Sequence, residues 1–497
     1  MRGLQEPGKG VRMTKAMAKA LMVIGTSSHV GKSMLVTALC RSLSKKYKVA
    51  PFKAQNMSLN SWITRDGSEI GIAQAIQAKA AGVEPAADMN PVLLKPKGSS
   101  LSQVILLGKP YADKKAGDYY DSIEGLTSLV EGAYRRLASE HEVIIIEGAG
   151  GAAEINLYHR DIVNIGVARM ARPQIILVGD IERGGVFASI YGTLMLLPED
   201  VKGLIFGIVI NKFRGDIKLL EPGIKQLEEL TGLPVLGVIP YTDIRLQSED
   251  SVSIRDKTGN NHPVMIAVVR LPHISNFTDF EPLERYADIR YIEPSEDLGN
   301  PDAVILPGTK NTMDDLKDLR SKGMDKRIIA EAKRGIPVIG ICGGYQMLGK
   351  EIDDSGVEGT DGPSTENGLG LLNVSTRFLD YKKQTRQVEK TVTGNGAILG
   401  QIKGETVRGY EIHMGETEGG EPAFGDDGAV SGNGLVIGTY LHGLFENENV
   451  RNSFLDYLYK RKGIIFRCKE EGDGIEELSR FIEEHVNMGL IYKRIEG

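Results

Sequence analysis

The sequence predicts an α/β fold with two units in succession, and three observations indicate it. Short β-branched and apolar runs alternate with longer amphipathic stretches, as strands and crossover helices do in parallel sheets. In each half of the chain, one apolar run leads directly into a glycine-rich turn and then into a helical stretch. The length of 497 residues exceeds what one hydrophobic core usually fills, so we expect more than one domain.

The first unit is predicted to extend from about Ala20 to Tyr241. Its strands are expected at residues 21–25, 49–53, 143–147, 175–179, 204–211 and 235–240. Its helices are expected at residues 32–45, 70–81, 123–139 and 217–231. The polar stretch that follows interrupts the alternation, so we expect a first domain at residues 20–245 and a linker at residues 246–262.

A second series of elements is predicted further along the chain. Strands are expected at residues 264–270, 303–306, 338–341 and 435–440. The Gly-rich stretch 356–434 predicts hairpins and loops, and helical periods return at residues 449–462 and 475–486. We therefore expect a second domain at residues 263–462 and a helical tail at residues 463–497. The basic, Gly- and Met-rich residues 1–19 are expected to form a disordered extension.

Composition limits the classes of partner. The formal net charge of −6 provides no general attraction to nucleic acid or to an anionic membrane. No apolar run is long enough for a membrane span. The 3 cysteines are too scattered for a disulfide framework, which fits a reducing cytoplasm. The sequence leaves the oligomeric state open.

The loop GTSSHVGKS, residues 25–33, lies between the first predicted strand and its helix, where a phosphate-binding loop is expected. Backbone N–H groups there suit the phosphates of ATP, with Lys32 on the terminal phosphates and the Ser33 hydroxyl on Mg²⁺. Gly25 stands one residue earlier than in the common spacing before Gly31, and Thr26 occupies the usual position. A glycine turn capped by Ser33 is the less favoured alternative.

Polar residues that follow other predicted strands of the first unit are expected at the same edge of the sheet. Glu147 is a candidate Mg²⁺ ligand, although it would also serve as a cap on the next loop. Asn211 resembles the adenine-reading Asn of related enzymes, and a plain turn explains it nearly as well.

Two further segments end at this edge. Lys53, Gln55 and Asn56 provide a cation and several donors where a carboxylate and a γ-phosphate would meet. Arg183 lies in a flexible, glycine-containing loop after another strand. An ordinary polar surface loop is the alternative explanation for each of these two segments, so their residues stay candidates.

The decapeptide GICGGYQMLG, residues 340–349, has the pattern of a nucleophile elbow. Gly340 and Gly344 remove side chains where the turn packs closely. The Cys342 thiol is then presented at a helix N-terminus, which favours the thiolate. A buried structural cysteine is the alternative.

A thiolate nucleophile needs a proton partner and an oxyanion hole. His442, after the strand at residues 435–440, is the preferred acid and base, and His413 is the competitor. His413 is otherwise expected to support the site or the scaffold. The backbone amides of Gly308, Thr309 and Gly343 are candidates for the oxyanion hole.

These motifs, in this order, resemble the cobyric acid synthase family, which are glutamine-dependent amidotransferases of cobalamin biosynthesis. The resemblance covers about residues 20–460. The segments that carry it are GTSSHVGKS, FKAQNMSLNSW, IEGAGGAAEINL, GDIERGGVFAS, INKFRGD, LPHISNFTDFEPL, LPGTKNT, GICGGYQMLG, RGYEIHMGET and GTYLHGLFEN. FKAQNMSLNS and LPHISNFTDF are the most specific, because they separate the family from the similar enzyme that amidates cobyrinic acid at a and c.

The resemblance implies a P-loop NTPase domain of the dethiobiotin-synthetase type followed by a class I glutamine amidotransferase-like domain. It implies ATP-dependent amidation of the b, d, e and g carboxylates of adenosylcobyrinic acid a,c-diamide, with ammonia from glutamine. ATP and Mg²⁺ are then the cofactors, and the corrinoid and glutamine are the partners. Lys32 and Lys53 would offset the charge of an acyl phosphate, and Cys342 would form a glutamyl thioester.

One departure from the broader class I amidotransferases concerns His442. Their catalytic His is usually followed two residues later by Glu, whereas Leu444 stands there in this chain. We therefore expect a Cys–His dyad with an unknown orienting group. The alternatives left open are cobyrinic acid a,c-diamide synthase, a ligase acting on cell-wall precursors, and a P-loop switch protein with a non-catalytic second domain.

Overall fold

The computed structural model describes residues 18–96, 101–115, 123–242, 244, 262–358, 362–379, 383–468 and 472–497. The expected disordered extension at residues 1–19 lies outside these residues except for its last two. The expected linker at 246–262 also lies outside them except for residue 262. In the described part of the chain, no helix is both long and apolar enough to cross a bilayer.

The first unit contains the predicted alternation of strands and helices. Its strands are β1 (Lys19–Gly25), β2 (Val49–Phe52), β3 (Gln55–Met57), β4 (Ser61–Ile63), β5 (Glu69–Gly71), β6 (Val92–Pro96), β7 (Leu101–Leu106), β8 (Lys109–Lys115), β9 (Val143–Glu147), β10 (Gln174–Asp180), β11 (Ile205–Phe213) and β12 (Val235–Pro240). Its helices are α1 (Lys32–Ser44), α2 (Ile72–Ala81), α3 (Ile123–Glu140), α4 (Ile165–Ala171), α5 (Val186–Leu196), α6 (Glu199–Lys202) and α7 (Ile217–Thr231).

A six-stranded parallel sheet forms the core of this unit, in the order β12-β11-β10-β1-β9-β2. β1 lies between β10 and β9, and every residue of β2 and β9 is buried. Because the carboxyl ends of parallel strands meet at one edge, the loops after β1, β2, β9, β10 and β11 come together there. This edge is where the phosphate-site candidates were predicted.

The sequence pattern missed β3 to β8, which form a four-stranded sheet β3-β6-β7-β8 and a β4-β5 hairpin. β3, β4 and β5 have only three residues each, too few for a periodic signal. Their inward side chains are also partly polar. Glu69 is fully buried and Lys95 is 3% exposed. The Lys95 ammonium lies 2.7 Å from the Glu69 carboxylate, so the two charges form a buried ion pair.

The second unit has its own sheet. Its strands are β13 (Met265–Val269), β14 (Ile274–Ser275), β15 (Asp288–Ile292), β16 (Ala303–Leu306), β17 (Gly308–Thr309), β18 (Val338–Ile341), β19 (Glu351–Asp354), β20 (Ser364–Asn367), β21 (Val374–Phe378), β22 (Gln384–Thr391), β23 (Thr406–His413), β24 (Glu416–Gly419), β25 (Ala429–Val430), β26 (Val436–Thr439) and β27 (Leu441–His442). Its helices are α8 (Thr312–Ser321), α9 (Met324–Lys333), α10 (Gly343–Leu348) and α11 (Glu448–Arg461).

The main sheet of the second unit runs β15-β13-β16-β18-β26-β25, parallel except for β25. Smaller sheets, β20-β19-β21-β24 and β22-β23-β27, include the hairpins expected in the Gly-rich stretch. β18 leads into the turn at Cys342, and β26 leads to His442. The two residues therefore follow neighbouring strands.

The last helices, α12 (Gly474–His485) and α13 (Met488–Glu496), pack against the first unit. The aliphatic side chains of Leu478, Ile482 and Ile491 are fully buried in the core that contains α1. Glu476 pairs with Arg41 of α1 at 2.7 Å. The predicted tail thus packs on the first unit and covers the helix that begins at the phosphate loop.

Candidate functional site

The predicted phosphate loop connects β1 to α1 as a tight turn. Gly31 has a φ of 101°, and a Cβ there would lie 2.0 Å from Nδ2 of Asn211, so only glycine fits. The Lys32 ammonium donates to the carbonyl oxygens of Ser27 at 2.9 Å and Gly150 at 2.8 Å. Lys32 is therefore held over the loop, where a bound phosphate would compete for its protons.

Glu147 is the centre of a buried polar cluster beside this loop. Its Oε1 accepts from the Ser33 hydroxyl at 2.8 Å and from the Lys53 ammonium at 2.9 Å, and its Oε2 accepts from Nε2 of Gln77. Glu147 is 1% exposed and Lys53 is 5% exposed. The structure thus brings together three residues that the sequence placed after three different strands or loops.

The donor set at Ser33 and Glu147 fits Mg²⁺, which prefers hydroxyl and carboxylate oxygens. Oε1 of Gln77, whose Nε2 donates to Glu147, is buried and has no partner among the described residues. No group of three or more His, Cys, Asp or Glu side chains in the described ranges could hold a metal alone. This arrangement suits an ion that is completed by phosphate and water oxygens.

Asn211 lies at the other side of the loop. Its Nδ2 donates to the carbonyl oxygen of Val30 at 2.8 Å, and its buried Oδ1 finds no partner in the described part of the chain. Asn211 and Arg183 both line a cavity of about 480 Å³. Asn211 thus lies beside both the phosphate loop and this cavity, and its predicted contact with an adenine amine stays a prediction.

The three candidate residues after β2, Lys53, Gln55 and Asn56, differ in burial and in hydrogen-bond partners. Asn56 is 4% exposed, and its Nδ2 donates to Oε1 of Gln74 at 3.0 Å. Gln55 is half-buried on the same strand, β3. Lys53 faces Glu147, as described above. The predicted contacts of these three residues with substrate stay predictions.

Cys342 has the strained backbone of a nucleophile elbow, with φ 52° and ψ −111° at a non-glycine residue. A Cβ at Gly344 would lie 2.0 Å from the carbonyl oxygen of Leu306, so this position must be glycine. The thiol lies 3.5 Å from the carbonyl oxygen of Ile412, to which it donates. Strain of this kind persists only where surrounding packing imposes it.

His442 is bonded to Asp279, an acid that the sequence analysis did not identify. Nδ1 of His442 donates to Oδ2 of Asp279 at 2.7 Å, and Oδ1 of Asp279 accepts from the Gly443 N–H at 2.8 Å. Burial opposes charging of His442, but the Asp279 carboxylate and the nearby Cys342 raise its pKa to about 10.

The expectation of a dyad is therefore corrected, because the structure has a Cys342–His442–Asp279 triad. Asp279 is separated from His442 by 163 positions and reaches it only through the tertiary fold. It lies in the 3₁₀ helix Phe277–Leu283, within the motif LPHISNFTDF. An acidic residue between two buried phenylalanines was the signal available in the sequence.

The backbone of β17 distinguishes the oxyanion-hole candidates. β17 pairs antiparallel with β14, with Thr309 opposite Ile274, and the Lys310 N–H donates to the His273 carbonyl at 3.0 Å. Hydrogen-bonded positions alternate along such a ladder, so the Thr309 N–H points away from β14. A Cβ at Gly343 would lie 3.2 Å from the Thr309 nitrogen. The geometry favours the Thr309 and Gly343 amides over that of Gly308.

His413 lines the same pocket as Cys342 and His442. Its ring stacks on Tyr440 with centroids 3.7 Å apart, and its Nδ1 donates to the Gly415 carbonyl at 2.9 Å. Burial lowers the pKa of His413 to about 4, so the ring stays neutral near pH 7. A neutral, stacked ring fits a supporting position better than the base.

A cysteine triad by itself is compatible with several hydrolases. Here the pocket of the triad is also lined by Lys95, a residue of the first unit. The first unit is the one that contains the phosphate loop. A cysteine triad whose pocket adjoins a domain with a phosphate loop fits the class of ATP-using glutamine amidotransferases, in which a thiol releases ammonia for an activated carboxylate.

Comparison with known proteins supports this class and narrows it. Residues 21–253 match the family model described as CobQ/CobB/MinD/ParA nucleotide binding domain, and residues 265–450 match the CobB/CobQ-like glutamine amidotransferase domain. A probable cobyric acid synthase of Methanosarcina acetivorans is 63% identical, covering 96% of this chain and 99% of the relative. One from Methanococcoides burtonii is 61% identical, covering 97% and 98%. The chain belongs to the cobyric acid synthase family.

The predicted fold class, a nucleotide-binding P-loop domain followed by a glutamine amidotransferase domain, is confirmed by these matches. The resemblance inferred from the sequence motifs is confirmed as well. A solved structure of PurLQS from Thermotoga maritima is 20% identical, covers 39% of this chain and 99% of that one, and has a TM-score of 0.32. That similarity is too low to support any conclusion.

Proposed function

We propose that this protein amidates the b, d, e and g carboxylates of adenosylcobyrinic acid a,c-diamide, with ATP and glutamine-derived ammonia, to give adenosylcobyric acid. Membership of the cobyric acid synthase family supports this substrate, and the pair of sites supports the chemistry. The observation that carries the proposal is the Cys342–His442–Asp279 triad in one chain with a phosphate loop.

In the glutaminase half, the Cys342 thiolate attacks the carboxamide carbon of glutamine. The oxyanion that forms is stabilised by the backbone N–H groups of Thr309 and Gly343. His442, protonated and held by Asp279, gives its proton to the departing nitrogen, so ammonia leaves and a glutamyl thioester remains. Water then attacks the thioester, with His442 as the base, and glutamate is released.

In the other half, a substrate carboxylate attacks the γ-phosphorus of ATP, the bond to the β-phosphate oxygen breaks, and an acyl phosphate forms as ADP leaves. The ammonium groups of Lys32 and Lys53 offset the negative charge that gathers on the transferring phosphoryl group. Ser33 and Glu147 would hold Mg²⁺, which when bound neutralises phosphate charge. Ammonia then displaces phosphate and the amide is complete.

The compartment and partners follow from the same proposal. The buried Cys40 and Cys342 are free thiols, which suits work in a reducing cytoplasm. The corrinoid and glutamine are the partners that the reaction needs.

The experiment incubates purified protein with ATP, Mg²⁺, glutamine and the a,c-diamide, and follows the corrinoid by mass spectrometry. We expect four successive exchanges of a carboxylate hydroxyl for an amine. The Cys342→Ala variant should lose this activity with glutamine and keep it with ammonia. Turnover of cobyrinic acid, with no change in the a,c-diamide, would instead indicate the a,c-diamide synthase.

A further inference from the structure

The ring of His442 is held by two side chains besides Asp279. Nδ2 of Asn276 lies 3.4 Å from Nδ1 and 3.5 Å from Nε2 of His442. The ring of Tyr410 stacks on the imidazole with centroids 5.2 Å apart and planes 17° apart. Asn276 and Tyr410 are both buried. The orientation of His442 therefore depends on where these two residues lie.

Asn276 is in turn joined to the first unit by a reciprocal pair of hydrogen bonds. The Ser61 N–H donates to Oδ1 of Asn276 at 3.0 Å, and the Phe277 N–H donates to Oδ1 of Asn60 at 3.1 Å. Each asparagine accepts from the residue after the other, and we call this pair the asparagine clasp. Asn60 is 1% exposed, so no bulk water can replace a lost acceptor.

The asparagine clasp also sets the position of Asp279. Asn276 has a left-handed backbone, with φ 50°, and precedes the 3₁₀ helix Phe277–Leu283. The Asp279 N–H donates to the Asn276 carbonyl at 3.0 Å, so the first turn of this helix places the acid. A shift of Asn276 would therefore move both the amide beside His442 and the carboxylate that orients it.

A second contact from the first unit supports Tyr410. Trp62, next to Ser61, packs its ring against that of Tyr410 with centroids 5.3 Å apart. Ile63 is fully buried and forms a small hydrophobic cluster with Tyr410 and Ile412. Strand β4 of the first unit therefore supports both groups that flank the imidazole.

We propose that Asn60 is a positioning residue for the glutaminase triad, although it belongs to the nucleotide-binding unit. Through the clasp it holds Asn276, and through Asn276 it aligns His442 and Asp279. The proposal rests on the proposed glutaminase function and assigns a part of it to the other domain. Residues 53–61 also include Lys53, whose ammonium donates to Glu147 of the phosphate site at 2.9 Å, so one segment contacts both sites.

The test uses the full chain with Asn60→Ala and measures glutamate release from glutamine alone. We expect kcat to fall at least about tenfold, because a misplaced acid–base group loses most of its contribution. The KM for glutamine should change by less than about threefold, since Asn60 does not touch the substrate. The alkaline limb of the pH profile should move to lower pH, because His442 loses its alignment with Asp279.

Two further variants complete the test. Arg65→Ala changes an exposed residue in the same β4–β5 hairpin and should leave glutamate release unchanged. Asn276→Gly keeps the left-handed backbone accessible but removes the amide, and it should reproduce the kinetic change of Asn60→Ala. ATP binding reports whether the first unit remains folded, and Asn60→Ala should keep it within about twofold of the original affinity.

An unchanged kcat and pH profile for Asn60→Ala would overturn the proposal. An equal loss of ATP affinity would also overturn it, because Asn60 would then have a general folding role. Glutamate release needs no corrinoid, so this result is independent of which carboxylate is amidated. Absence of glutamate release by the unaltered protein would refute the proposed function instead.

Discussion

Replacing Asp279 by Asn tests the triad, because it removes one charge and little volume. Burial alone would push the pKa of His442 below the usual 6.5, yet it stands at about 10. The rise in pKa from 6.5 to about 10 corresponds to about 5 kcal/mol in favour of the imidazolium. The Asp279 carboxylate, bonded at 2.7 Å, is the main source of this stabilisation and must also overcome the effect of burial.

The Asp279→Asn variant should therefore have a lower His442 pKa, because the largest contribution that opposes burial is removed, and the imidazolium should lose stability near neutral pH. We expect glutamate release to fall by about 10²–10⁴-fold. An Asn side chain can still accept from the Gly443 N–H, so the local fold should persist. Ammonia-dependent amidation should remain, because it does not use the triad.

The assay compares glutamate release across pH with ammonia-dependent amidation in the same preparation. Asp302→Asn is the matched control, since Asp302 accepts from the Met265 N–H at 2.8 Å and does not line the pocket. This control should have unaltered glutamate release. Glutamate release by Asp279→Asn within about threefold of the original, at every pH, would refute the reasoning.

Three other changes test the remaining parts of the structure. Lys53→Met should abolish amidation with glutamine or with ammonia while glutamate release continues; amidation that survives would argue against charge neutralisation by Lys53. Deletion of residues 472–497 exposes the core around α1 and should lower the free energy of unfolding by more than about 5 kcal/mol, measured by denaturant titration. Burial raises the pKa of Glu69, but the ammonium groups of Lys383 and Lys95 hold it well below its usual 4.5. The ionised Glu69 therefore stabilises the fold above about pH 4.5, and this stabilisation is lost as the pH falls toward the lowered pKa. Glu69→Gln should cost about 3–5 kcal/mol at pH 7 and flatten this acid dependence, and an unchanged pH–stability curve would contradict it.

The signals that succeeded from sequence are local ones. The predicted strands at residues 143–147 and 235–240 coincide with β9 and β12. β9 is buried throughout, and a buried parallel strand is a continuous apolar run. The phosphate loop and the turn at Cys342 were predicted for a similar reason. Each is a short stretch that its glycine spacing makes recognisable, although the close approaches that require Gly31 and Gly344 are to Asn211 and Leu306 on other elements.

Signals that depend on distant partners were not accessible in the same way. Strands β3 to β8 were missed because β3, β4 and β5 are short and because this part of the chain carries buried polar groups such as Glu69. From the sequence alone, a charged residue such as Glu69 is expected at the surface. In the structure it is buried because Lys95 and Lys383 pair with its carboxylate. Pairing of this kind reverses the usual meaning of a polar side chain in a sequence pattern.

By itself, the sequence determined the class of both domains and located the phosphate loop and the turn at Cys342, because periodicity and glycine spacing are recognisable within short segments. Only the tertiary structure decided which acid orients His442 and which residues of the first unit contact the side chains around it. Asp279 and Asn60 reach that site across separations of 163 positions and more. Such contacts depend on how two sheets and their loops meet, and no local pattern encodes that meeting.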